Sequence, residues 1–241
     1  MNLSCGAFEP NRKFSLEDVF GHLGEKDLAK AKALAQEIKE KRENLRITLG
    51  AGPSTYKVEN GILTDIPIVD ILNATKMAAL FAQGTVKTFV ASHVFEHFTY
   101  PEAVAALQHV RCLLDKDEGV LRLAVPDAYN VHAKYRNEKV LEGFPDKKFN
   151  AKVPYPGHRA LWTEPKVAAV ASVTGFVTRP LEWFTQQHRF CQVDYDIKTH
   201  GRIGRSIRYA KADAELKYFT TSLIVDLTPQ KLLNTRVRAV E

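Results

Sequence analysis

The sequence predicts an α/β protein built on a doubly wound, mostly parallel sheet, and three observations carry that prediction. Short β-type runs alternate with helical stretches through the first two thirds of the chain, as strands joined by crossover helices do. The run Leu45-Arg46-Ile47-Thr48-Leu49 ends in a glycine turn, Gly50-Ala51-Gly52-Pro53. Polar residues gather after five successive strands: Gly50 to Thr55, then Asp65, then Asp70 and Asn73, then Ser92-His93, then Asp127-Ala128-Tyr129. Ligands of such sheets bind beyond the carboxyl ends of the strands, so these residues would share one rim.

Taken in order, residues 1–24 hold three phenylalanines before Gly21 without a helical or strand period, and read as an irregular N-terminal extension. Leu28, Ala31, Leu34, Ala35 and Ile38 recur at helical spacing, which predicts an amphipathic helix over 25–43. Strands follow at 45–49, near 61–65, and near 68–72 after Pro67. A helical stretch over about 74–82 ends at Gly84, and Val86 to Ala91 reads as a buried strand. Pro101 to Leu114 is a helix with proline in its first turn. Gly119 to Val125 is a strand stopped by Pro126-Asp127, a further helix runs from about Thr163 to Thr174, and a last strand covers Ser222 to Asp226. The organisation expected is an extension with its helix over 1–44 and one domain over 45–241, with an insertion near 183–210.

The 241 residues are enough for one large domain with a substantial core. Apolar residues at 45% and charged residues at 26% are ordinary for a globular chain. No apolar run reaches the roughly 18 residues that cross a bilayer, and the first residues lack the apolar core of a signal peptide, so a cytoplasmic location without membrane attachment is expected. Cys5, Cys112 and Cys191 are far apart and odd in number, which supports thiols rather than a disulfide framework or a thiolate metal site. The net charge of +6 is uneven: residues 1–130 carry −2 and residues 131–241 carry +8. A basic second half suits an anionic substrate or nucleic acid, and equally a solvated surface.

A strand running into glycines lets backbone amides approach a ligand that side chains would block, and an acid after the next strand can hold a ribose. Gly50, Gly52 and Asp65 have that placement. Beside them stand Ala91-Ser92-His93-Val94-Phe95-Glu96-His97-Phe98, Pro101-Glu102-Ala103-Val104, Leu113-Leu114 and Gly119 to Asp127. With His158 before a helix, Thr174-Gly175-Phe176, Gly204-Arg205-Ser206 and the strand Ser222 to Asp226, the chain from about Leu45 to Thr228 resembles class I S-adenosylmethionine-dependent methyltransferases, in particular a small bacterial-type group. The resemblance implies a Rossmann-like, seven-stranded sheet with an antiparallel last strand, and S-adenosyl-L-methionine as cofactor. It implies that Gly50, Ala51, Gly52 and Pro53 lie against the methionine part, Asp65 on the ribose, Asp70 or Asn73 at the adenine edge, and Ala91, Ser92 and His93 beside the sulfonium. The chain departs from the family pattern in three places. Thr48-Leu49 and Pro53 flank the glycines, Asn73 stands for the adenine-reading aspartate, and Leu113 to Gly119 lacks a proline-glycine-glycine turn.

His93-Val94-Phe95-Glu96-His97 also fits the H-x-x-E-H pattern of zinc hydrolases, with Glu164 as a third ligand. That reading needs both histidines on one helix, whereas the strand 86–91 leaves His93 at a strand end, so no metal is expected. Methyl transfer from a sulfonium needs proximity and alignment, and a base only where the acceptor carries a proton. His158, in a loop suited to a lid, is the first candidate for that base, followed by Asp127 and His93. Arg202, Arg205 and Arg208 offer a grip for a small acceptor bearing a carboxylate or phosphate, or pair with acids of a surface hairpin. The alternative readings are a silent methyltransferase-like scaffold and a nucleic-acid-binding module; the sequence leaves the oligomeric state open.

Overall fold

The protein is described from a computed structural model, which defines residues 5–8, 14–51, 61–141, 157–209 and 221–231. The order of elements is α1 (Leu16–Phe20), α2 (Glu25–Glu40), β1 (Leu45–Leu49), β2 (Ile62–Leu63), α3 (Ala74–Leu80), β3 (Val86–Ser92) and α4 (Tyr100–Leu113). Then come β4 (Val120–Val125), α5 (Ala133–Tyr135), α6 (Glu164–Val173), β5 (Phe176–Phe184), β6 (Phe190–Gln192), α7 (Ile197–His200) and β7 (Leu223–Pro229). The strands form one sheet in the order β2-β1-β3-β4-β7-β5-β6. β2, β1, β3 and β4 are parallel, whereas β7 runs antiparallel to both β4 and β5, and β6 antiparallel to β5. This is the expected Rossmann-like sheet, mostly parallel and with its last strand reversed.

Side chains alternate across the pleat and so build two cores. Phe89, Ala91, Leu121, Leu123, Val125, Leu223, Val225 and Leu227 join the larger cluster, which also takes in Phe8, Phe20, Ala31 and Ile38 from the N-terminal segment. Val90, Ala124 and Ile224 point the other way and pack with Leu181, Tyr195 and Ile203. Covering both faces is what lets the central strands be apolar throughout. α4 starts where the sequence places it because Thr99 and Glu102 form a capping box ahead of Pro101. Among the described residues no helix is long and apolar enough to cross a membrane.

Three expectations are corrected. Residues 68–72 are turns rather than a strand: Val69 N–H donates to Asp65 O, Asn73 N–H to Asp70 O, and Leu72 N–H to Asp70 Oδ1. Ile68, Val69 and Ile71 are buried as a strand would be, so apolarity alone misled. The N-terminal extension is not wholly irregular, because Ser15 caps a short helix whose Val19 and Phe20 reach the core. Cys5 and Cys112 form a disulfide, with Cα atoms 5.7 Å apart. The chain path brings the N-terminal segment against the last turn of α4, which no cysteine spacing could reveal. Cys191 is free.

Candidate functional site

The carboxyl ends of β1 and β3 diverge into a crevice of about 390 Å³ lined by Thr48, Leu49, Gly50, Ala51, Val90, Ser92, His93, Arg202, Gly204 and Arg205. β1 leads to β2 on one side and has β3 on the other, so this is the switch point of the sheet, where ligands of open α/β folds bind. Gly50 has φ of 57°, and a Cβ there would lie 2.7 Å from Val94 Cγ2. Glycine is therefore required twice over, by backbone angle and by the approach of the turn after β3. Ala51 N–H donates to Thr64 O, and Thr64 N–H and Oγ1 both donate to Thr48 O, which fastens the turn to the end of β2.

Of the residues assigned to a cofactor by sequence, Gly50, Ala51, Ser92 and His93 line the crevice, and Ala91 is buried in β3 beside it. Gly52 and Pro53 lie outside the described residues. Asp65 follows Thr64 at the rim and is exposed, with Oδ1 accepting from Ile66 N–H. Asp70 and Asn73 are engaged locally: Asp70 Oδ1 accepts from Leu72 N–H, and Asn73 Oδ1 caps α3 by accepting from Lys76 N–H.

Of the three candidates for a base only His93 lines the crevice, although His158 approaches the same Glu96 oxygen as His93. His93, in the left-handed region at φ 59°, faces the crevice with both ring nitrogens engaged. Nδ1 lies 2.8 Å from Glu96 Oε1 and Nε2 lies 2.9 Å from Ser222 Oγ. Arg205 Nη1 is 3.4 Å from the same Nδ1, so the shorter carboxylate contact fixes that nitrogen as the donor. The acid-imidazole-hydroxyl chain has the outline of a nucleophilic triad, but Ser222 is buried, and its hydroxyl serves to hold the ring. Asp127 is buried with Oδ1 accepting from Tyr129 N–H and Oδ2 from Phe184 N–H. Burial pushes its carboxyl up to about 6 against the pull of those two donors. It braces the end of β4 to the end of β5 and does not line the crevice. His158 is likewise buried away from the crevice, 3.2 Å through Nδ1 from Val140 O and ring-to-ring with His97 at 5.2 Å.

The arginine-bearing segment after β6 is fixed by buried polar groups that sequence reading overlooked. Arg122, on β4, pairs through Nε and Nη2 with Asp226 of β7 and donates from Nη1 to Asp196 O and Gly201 O. Glu182, on β5, accepts from Tyr195 Oη, Ser206 Oγ and Ile207 N–H. Burial and the neighbouring Glu182 carboxylate raise the Tyr195 hydroxyl well above the ordinary phenol range, so it keeps the proton that it donates to Glu182. Between these anchors Arg202 and Arg205 reach the crevice, Arg202 with its guanidinium over the Tyr209 ring, while Arg208 turns outward to Asp194. The three arginines that sequence treats as one cluster are thus divided. The signal available was an arginine inside the otherwise apolar β4 and an acid between the apolar residues Leu181 and Trp183 of β5.

No family model and no curated protein matches the chain. Among solved structures it is similar to an S-adenosylmethionine-dependent methyltransferase from Archaeoglobus fulgidus, at 10% identity and TM-score 0.42, covering 88% of this chain and 96% of that one. A second likeness, to an S-adenosylmethionine-dependent methyltransferase from Methanosarcina mazei, has 10% identity and TM-score 0.43 over 79% and 94% of the two chains. A third is to magnesium protoporphyrin IX methyltransferase from Synechocystis with bound S-adenosylhomocysteine, at 10% identity and TM-score 0.41 over 84% and 83%. At these values the functional reading rests on the residues of the crevice.

Proposed function

We propose that the protein is an S-adenosylmethionine-dependent methyltransferase acting on a small acceptor that carries a carboxylate or phosphate. The observation that supports this most is the crevice at the switch point, where a left-handed glycine turn and the Ser92-His93 strand end meet. Its volume suits a ligand of nucleoside size. Gly50 and Ala51 would hold the methionine part through backbone groups, Asp65 would accept from ribose hydroxyls at the rim, and Ser92 and His93 would flank the reacting end. When bound, the cofactor supplies an activated methyl group. The chain's part is alignment. Arg202 and Arg205 would take the anionic end of the acceptor. His93, fixed by Glu96 and Ser222, would hold its ring at the crevice wall, and would take the acceptor's proton at Nε2 only after the Ser222 hydroxyl has turned away from that nitrogen. Asp127, whose two oxygens are bound to main-chain N–H groups, is not assigned a catalytic part.

Calorimetry with S-adenosylhomocysteine tests the reading. Saturable binding is expected, weakened by Asp65→Ala by about 1–3 kcal/mol and removed by Gly50→Val, whose side chain would meet Val94. Arg205→Ala should raise KM for anionic acceptors more than for neutral analogues. No binding at millimolar ligand would leave the chain as a scaffold.

A further inference from the structure

We propose that Glu96, His97 and His158 together bind a divalent transition-metal ion, an inference that does not depend on the methyltransferase reading. One ligand atom from each of the three lies within 4.8 Å of the others. Glu96 is buried, and its Oε2 has no hydrogen-bond partner among the described residues. A buried carboxylate oxygen left in that state is unfavourable, because nothing replaces the water it has lost. The group cannot turn away, since Oε1 is fixed by His93 Nδ1 at 2.8 Å.

His158 supplies the second argument. Its Nδ1 lies 3.2 Å from Val140 O, which can only accept, so that nitrogen carries a proton. In the neutral ring Nε2 is then the nitrogen whose chemistry suits a metal, and it lies 3.9 Å from Glu96 Oε1. Imidazoles that bind metals are commonly oriented in this way, by a backbone carbonyl on the other nitrogen. His97 lies edge-on to His158 and is half-buried, which gives an ion a way in. Ligand bonds of about 2.0–2.1 Å in a tetrahedral site set ligand atoms roughly 3.3 Å apart, so small side-chain rotations close the present spacing.

Two imidazoles and one carboxylate suit zinc and its first-row neighbours better than magnesium or calcium, and three protein ligands leave a fourth position for water. The set differs from the one suggested by the H-x-x-E-H spacing. His93 orients Glu96 instead of binding, Glu164 is not in the cluster, and the third ligand comes from residue 158. The expectation that the protein needs no metal is replaced by this proposal.

The full chain, stripped with chelator and titrated with Zn²⁺ against a chromogenic competitor, should take up one ion that also raises Tm. His97→Ala and His158→Ala should each weaken that site by more than about 100-fold, beyond the loss usual for outer partners, and should abolish the Tm rise. Equal zinc binding by wild type and both variants, or no binding at micromolar zinc, overturns the proposal. Anomalous scattering at the zinc edge from wild-type crystals needs no variant to fold. A peak between Glu96, His97 and His158 supports the site, and zinc located only elsewhere overturns it. Calorimetry with S-adenosylhomocysteine on the same metal-free protein separates this outcome from failure of the cofactor reading.

Discussion

Glu96, in the turn after β3, and Asp127, just past β4, are both buried carboxylates at the same rim of the sheet, yet their surroundings differ. Asp127 has each oxygen on a main-chain N–H, one from Tyr129 and one from Phe184. Glu96 has one oxygen on an imidazole and the other, among the described residues, without a hydrogen-bond partner. Burial pushes the Asp127 carboxyl up to about 6, because neutral donors only partly offset the loss of water. Burial acts upward on Glu96 too, but the charge and hydrogen bond of His93, with His97, hold it below the ordinary value. The difference separates two uses of a buried acid. Saturated by backbone, it joins elements; half-saturated among imidazoles, it has an oxygen to offer a ligand.

The comparison is broken most sharply by Asp127→Ala. Two main-chain N–H groups, that of Phe184 buried and that of Tyr129 half-buried, would lose this acceptor, and urea denaturation should show a loss of about 2–5 kcal/mol. A loss no larger than that of an exposed carboxylate would show that Asp127 joins nothing. Asp127→Asn retains one acceptor and should lose about 1–3 kcal/mol at pH 7. It should also change the pH profile. An acid whose carboxyl is raised in the folded state binds a proton there that the unfolded chain, near 3.8, has released. Its contribution is fully present below about pH 4 and is lost as pH rises to about 6, so wild-type stability should fall across that window and the asparagine variant should not share that fall. The smallest effect is expected at the other acid. Metal-free Glu96→Gln keeps an acceptor for His93 and removes an oxygen that has no partner, so the change should be about 1 kcal/mol or less. A larger loss than for Asp127→Asn would reverse the comparison.

What was legible in the sequence divides along the same line. β1, β3 and β4 could be read because runs of branched and apolar residues end in glycine, serine or proline, and the rim followed from where those runs stop. Gly50, Ala51, Ser92 and His93 were legible for that reason. The segment 193–209 was not, because its position is set by Arg122, on a strand distant in sequence, and by Glu182 of β5, which act through carbonyls and hydroxyls that leave no periodic trace. Glu96 and His158 are 62 residues apart, and only the packing of the turn after β3 against the residues before α6 brings them together. At residues 68–72 the pattern of buried side chains was legible and the backbone was not, since turns closed by Asp65 and Asp70 bury the same residues a strand would.

The bond between Cys5 and Cys112 turns the first half of the chain into a covalent ring that contains β1, β2, β3 and the helices between them. Cutting one peptide bond anywhere inside that ring opens it without releasing a fragment. A protease that nicks the chain once between these cysteines would therefore leave a single species on a non-reducing gel and two on a reducing one. Intact mass alone would report such damage only as one added water.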